Sequence, residues 1–146
     1  MSDISSNATR CAKIVNADDI DNDLASADGL PQFSYYVPNM NNDAHDTNIT
    51  FAMSWFQPWF EERLKNPKFT DGTLFLITFD EDDKNAEGNH IYANLLGSPV
   101  KPKGPFTDAT MYNHYSILKT IEDNWGLDSL GRNDTTATAF TKFLGT

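Results

Sequence analysis

A chain of 146 residues has room for one domain around a single buried core and is short for two. Hydrophobic residues make up 39% and aromatics 12%, including ten Phe, five Tyr and three Trp, which argues against disorder and predicts a folded chain. A net charge of −10 argues against nucleic acid and anionic membrane surfaces as partners, and conflicts with any anionic substrate unless a bound cation or clustered His, Lys and Arg reverse the field locally.

In chain order, residues 1–32 are polar and acidic, with residues 1–10 read as a flexible N-terminal segment. They hold one apolar cluster, Ile14-Val15 followed by Ile20 and Leu24, and a turn at Asp28-Gly29. Phe33 to Val37 is a compact aromatic run that predicts a strand ended by Pro38. It leads into turn formers, acids and a histidine, Asn39 to Asn48, which predict a loop fixed to a strand end, the kind of place where sites lie.

From Ile49 to Leu64, Phe51, Ala52, Trp55, Phe56, Trp59, Phe60 and Leu64 recur at helical spacing. Pro58 removes one backbone donor, so it either kinks this helix or opens a second one; Asn66-Pro67 closes the segment. Gly72 to Phe79 is an unbroken apolar run that predicts a central strand buried on both faces. It ends in Asp80-Glu81-Asp82-Asp83, after which a short strand is expected at His90 to Leu96, then a Pro/Gly/Lys turn region. Thr107 or Asp108 is expected to cap a helix through Met111, Tyr115, Leu118, Ile121 and Trp125, with Gly126 at its C-terminal cap. A last short helix is expected over Ala137 to Leu144. Strands alternating with helices predict an α/β layer arrangement in one domain over 1–146.

Cys11 is the sole cysteine, so no internal disulfide forms; it is either an ordinary thiol or half of a bridge to a segment outside the chain. No apolar leader or stretch of membrane-span length occurs, so no signal peptide is read here. Three glycosylation sequons begin at Asn7, Asn48 and Asn133, to be used only in a secretory pathway.

Chemistry concentrates at two places. Asp80 and Glu81 lie at the carboxyl end of the most apolar strand, where open α/β sheets bind ligands, and their hard oxygens suit a divalent or ferric cation. The competing reading is a solvated acidic loop. His45 and Asp46, preceded by Asn42 and Asp43, form a second polar cluster in which the acid can orient the imidazole, or in which Asp46 simply caps the following helix. His114 and His90 each adjoin a polar junction; a core-edge histidine bonded to backbone is the plainer account of His114. No phosphate-cradling Gly loop, GxSxG elbow or zinc-type Cys/His spacing occurs, and no Ser or Thr stands out as a nucleophile.

Taken together, FSYYVPNMNNDAHDTN, GTLFLITFDEDD, NHIYANLLGSPVKP and YNHYSILKTIEDNWGLDSLGRND resemble the C-terminal half of fungal acid phosphatases in the phosphoesterase family, which also includes bacterial phospholipase C enzymes and resembles the alkaline phosphatase superfamily in fold. The resemblance runs from about Cys11 to the C-terminus. It implies a partial alkaline-phosphatase-like layer with a central, mostly parallel sheet flanked by helices, and hydrolysis of phosphomonoesters at acid pH. It further implies a divalent or ferric metal ion held by Asp80 and Glu81, and roles for Asp43, His45 and His114 in binding or protonating the phosphate. Asn42, Asp46 and His90 are expected to bind substrate. The family's hydroxyl nucleophile and acidic metal motif have no counterpart here, so a chain incomplete for catalysis alone is expected. The alternatives are a non-catalytic module that binds phosphate, metal or carbohydrate, and a small phosphatase using metal-bound water. An extracellular or cell-wall location follows from the resemblance, and an exposed sheet edge predicts a homodimer.

Overall fold

The computed structural model describes residues 2–82, 88–101 and 107–145; Asp83 of the acidic run and most of the Pro/Gly/Lys turn region lie outside them. The chain divides into two compact units, Met1–Asp71 and Gly72–Thr146.

The first unit is helical: α1 (Ser2–Ser5), α2 (Ala8–Cys11), α3 (Ile20–Ala25), α4 (Ile49–Arg63) and α5 (Pro67–Thr70). The predicted helix forms as one element, α4, with Pro58 inside it. The Asn48 side chain caps it by accepting the Phe51 N–H at 3.0 Å, so Asn48, not Asp46, is the cap. Its aromatic stripe stacks on itself: Trp55 and Trp59 centroids lie 5.6 Å apart, Phe56 and Phe60 5.2 Å, and Phe69 from α5 meets Phe60 in a T-shaped pair with centroids 5.9 Å apart. Arg63 lies 4.2 Å over the Trp59 ring and binds Asp21 at 2.7 Å, tying the end of α4 to α3. Leu24, Ala52 and Phe69 are the buried apolar residues of this unit.

No strand forms over Phe33–Val37. The alternation is present but half used: Tyr36 packs its ring 4.6 Å from Trp59, while Tyr35 stays 77% exposed and Phe33 and Val37 are exposed as well. A strand needs a neighbour for its backbone groups, and a ring docked on a helix supplies none.

The second unit carries the sheet, two antiparallel strands β1 (Leu74–Thr78) and β2 (Ala93–Gly97) in register Leu74↔Gly97 through Thr78↔Ala93. The expected burial of β1 on both faces is not found, since all five of its residues are only half-buried. The sheet among the described residues is the antiparallel pair of β1 with the next strand, and not the mostly parallel arrangement expected.

Helix α6 (His114–Trp125) starts later than expected. Asp108 cannot cap it because its carboxylate is occupied by Thr110, by the Tyr112 hydroxyl at 2.7 Å and by Lys142 at 3.1 Å. Burial opposes ionisation of Asp108, but these hydrogen bonds outweigh it and hold the group at about 2; burial and the bond to Asp108 push Tyr112 up to about 12. The cap is instead Asn113, which forms a reciprocal box with Ser116, and Met111 is left 88% exposed outside the helix. Gly126 ends α6 at φ 61°, as its position predicts. Over the expected last helix there is a single tight turn, Phe140–Phe143, whose two phenylalanines are buried. Its Phe140 N–H bonds the buried Thr120 hydroxyl at 2.8 Å, and the Phe140 ring lies 4.4 Å from Tyr112.

Candidate functional site

In the second unit, chemistry gathers where β1 ends. Asp80 and Glu81 follow the strand closely, and their exposed carboxylates make no hydrogen bond or ion pair among the described residues. The main chain beneath them is held firmly. The Asp80 carbonyl accepts from His114 Nε2 at 2.7 Å and from Asn89 Nδ2 at 3.0 Å, while Asn89 Oδ1 accepts the Asp82 N–H at 2.9 Å. Since a carbonyl only accepts, the proton of a neutral His114 sits on Nε2, and Nδ1 gains one when the ring is protonated. The Asn113 cap places His114 as the first residue of α6, so one helix start positions the ring against the strand end. Thr78 Oγ1 donates to Tyr92 O at 2.7 Å and fixes the other side of the same junction.

Asn89 belongs to this junction, and the sequence marks it only as part of a Gly-Asn turn before His90. The Gly88-Asn89 dipeptide is the signal for it, since Asn tolerates the left-handed region that Asn89 adopts at φ 62°, and its amide then bridges two backbone groups. His90 is exposed one residue farther on.

The first unit holds the other cluster on the loop between Asn39 and Asn48. Asn39 Oδ1 accepts the N–H groups of Asn41 and Asn42 at 3.1 and 3.0 Å, and Asp43 Oδ1 accepts the His45 N–H at 2.8 Å. The chain reverses through Ala44 at φ 78°, and the Asp46 N–H returns to Met40 O at 2.9 Å. His45 Nδ1 pairs with Asp46 Oδ1 at 2.9 Å with both side chains exposed. Asp46 thus orients the imidazole, while Asp43 acts on His45 through the backbone. Asn42 contributes its main chain to the turn, through an N–H bond to Asn39 O at 2.9 Å.

Among the described residues no group of three or more His, Cys, Asp or Glu gathers as a cation site. Asp80 and Glu81 have the right chemistry for a hard cation, but two carboxylates fall short of the roughly six oxygen donors such ions take. They fit as part of a donor set.

The Phosphoesterase family profile matches residues 3–128. The chain is 44% identical over 132 residues to an acid phosphatase of Aspergillus fumigatus, covering 90% of this chain and 29% of that protein. It is 49% identical over 107 residues to a phosphate-repressible acid phosphatase of Penicillium chrysogenum, covering 72% and 26% respectively. A phosphatidylinositol-3-phosphatase of Mycobacterium tuberculosis is 33% identical over 103 residues, covering 70% of this chain and 33% of that protein. The chain therefore spans about a third or less of the length of these relatives. No solved structure matches it.

Proposed function

The chain belongs to the Phosphoesterase family, and on that footing we propose that it serves as one portion of an acid-phosphatase-type hydrolase of phosphomonoesters. The observation that carries this reading is the pinned strand end, where Asp80 and Glu81 stand clear of partners above a carbonyl clamped by His114 and Asn89. Clamping the backbone fixes where two carboxylates project, as a metal-binding edge requires.

Asp80 and Glu81 would hold a divalent or ferric cation together with donors from the rest of a longer protein. Such a cation, when bound, neutralises phosphate charge and polarises the phosphoryl group. We propose His114 in the second unit, and separately His45 in the first, whose ring pairs with Asp46 at 2.9 Å, as the proton-bearing groups of the reaction. From the family resemblance we also propose substrate-binding roles for Asn42, Asp46 and His90, with Asp43 positioning His45 through its main-chain N–H. We place the attacking group in the remainder of a longer protein, outside this chain. We also place the fold in the family's larger layered sheet, with β1 and β2 as one part of it and an exposed edge that a second copy covers. Secretion to the wall or medium accords with Asn7, Asn48 and Asn133, all exposed sequon residues.

The test is hydrolysis of an aryl phosphate across acid and neutral pH, with added divalent or ferric metal, by the 146-residue chain and by a longer protein containing it. The expected result is activity in the longer protein that Asp80→Asn with Glu81→Gln removes, and none in the short chain. Full activity in that double variant of the longer protein overturns the site. Activity in the short chain overturns its dependence on the remainder.

A further inference from the structure

Away from the strand end, the second unit buries two acids. Asp134 is fully buried and Glu122 is 2% exposed. Asp134 lies in a tight turn packed on α6, and Glu122 is on α6 itself. Their surroundings differ. The Asp134 carboxylate accepts the Ser129 hydroxyl at 2.5 Å, the Leu130 N–H at 2.7 Å and the Arg132 N–H at 2.7 Å. Both carboxyl oxygens of Glu122 are buried without a donor. Leu130 N–H, within reach of Glu122, is already given to Asp134.

We propose that Glu122 is carried protonated in the folded chain and donates its proton to Asp134, making a latch between α6 and the 129–135 turn that is closed in acid and weakened as pH rises.

Two buried carboxylates side by side with three donors between them cannot both stay ionised without one charge left unsolvated and unpaired. A proton on Glu122 removes that charge and converts an orphaned acceptor into the donor that Asp134 has room to accept. The neighbouring groups do not supply the missing cation. On α6, Lys119 pairs with Asp123 at 2.7 Å and is drawn only secondarily by Glu122 and Asp134. On the Phe140–Phe143 turn, Lys142 is engaged by Asp108 and Thr110. The facing turn offers Asp134 itself, the neutral Ser129 and Arg132, an exposed residue whose main-chain N–H is given to Asp134.

The titration directions agree with the geometry. Burial, then the charge of Asp134, raises Glu122 above its ordinary 4.5. The Ser129 hydroxyl, against burial and helped by the Arg132 and Leu130 N–H groups, lowers Asp134 from 3.8 to about 2. Because the folded value of Glu122 is raised, its contribution is complete below 4.5 and is lost as pH rises through the folded value. Asp134 has the opposite sign: its contribution is present above 3.8 and is lost as pH falls toward about 2. The pair therefore favours the folded state most in mild acid.

The experiment is carbon-13 NMR of the side-chain carboxyls of the assigned 146-residue chain, with thermal melts of wild type and Glu122→Gln across the same pH range. The expected results are a Glu122 resonance that titrates above 4.5, and a fall in Tm on the alkaline side that is flattened in Glu122→Gln, whose neutral amide keeps the donor. Histidine titration is common to both proteins and cancels in the comparison. A Glu122 resonance titrating at or below 4.5 overturns the latch, as does an alkaline fall in Tm that Glu122→Gln leaves unchanged. Should Glu122→Gln fail to fold, the wild-type resonance decides alone.

Discussion

Replacing Asn113 by alanine strikes the helix start that positions His114. The substitution removes the side-chain acceptor of the Tyr115 N–H, at 2.9 Å, and breaks the reciprocal box with Ser116. Loss of such a cap costs about 1 kcal/mol. If the first turn then frays, the 2.7 Å bond from His114 to the Asp80 carbonyl goes too, adding roughly 1 kcal/mol. With a urea slope of about 2 kcal/mol per molar, the unfolding midpoint drops by about 0.5 M if only the cap is lost and by about 1 M if the clamp follows. Asn113→Asp keeps an acceptor at the same place, with a charge favourable to the helix N-terminus, and is expected to stay near wild type. Urea titration followed by far-UV circular dichroism measures both, and His114→Ala added to Asn113→Ala tests the coupling. If the clamp depends on the cap, the two losses sum to less than their separate values. Indistinguishable midpoints for Asn113→Ala and Asn113→Asp would show that the Asn113 side chain does not hold the helix start.

Gly97→Ala is expected to disrupt the sheet, because the added Cβ would stand 2.1 Å from the Thr73 carbonyl oxygen at φ 113°; Gly131→Ala, at φ 72° with open space, is milder, and thermal melts of the two rank them. Phe140→Ala removes a ring 6% exposed, and its expected cost of about 3–5 kcal/mol is read from chemical denaturation. For Asp108, the lowered folded value means that its contribution is complete above 3.8 and is lost as pH falls toward about 2. Asp108→Asn should therefore flatten that acid leg of a Tm-against-pH curve. Cys11 is exposed, so an aromatic disulfide reagent should label it fully without denaturant; slow labelling that urea accelerates would contradict the described surface.

Local signals served well where one element decides its own shape. The aromatic stripe of α4, the apolar run of β1 and the αL glycine ending α6 all follow from spacing and residue type, since a helix period or an apolar run acts within a few residues. They failed where a partner had to be chosen. Phe33–Val37 has strand composition but finds a helix under Tyr36 instead of a neighbouring strand. Asp108 has cap chemistry, yet Lys142, 34 residues away, helps claim it and the helix starts at Asn113.

The site divides in the same way. Asp80-Glu81 after an apolar strand, and Asp43, His45 and Asp46 in one polar loop, were visible because their residues are adjacent and chemically distinctive. Their family membership was visible too, in long ordered strings that no single contact creates. Hidden from the sequence were the Asn89 bridge, the reach of His114 across 34 positions to the Asp80 carbonyl, and the burial that sets Glu122 against Asp134. Residue type determines which groups can donate, accept or titrate; only the packed chain decides which donors come within reach and which charges lose their water.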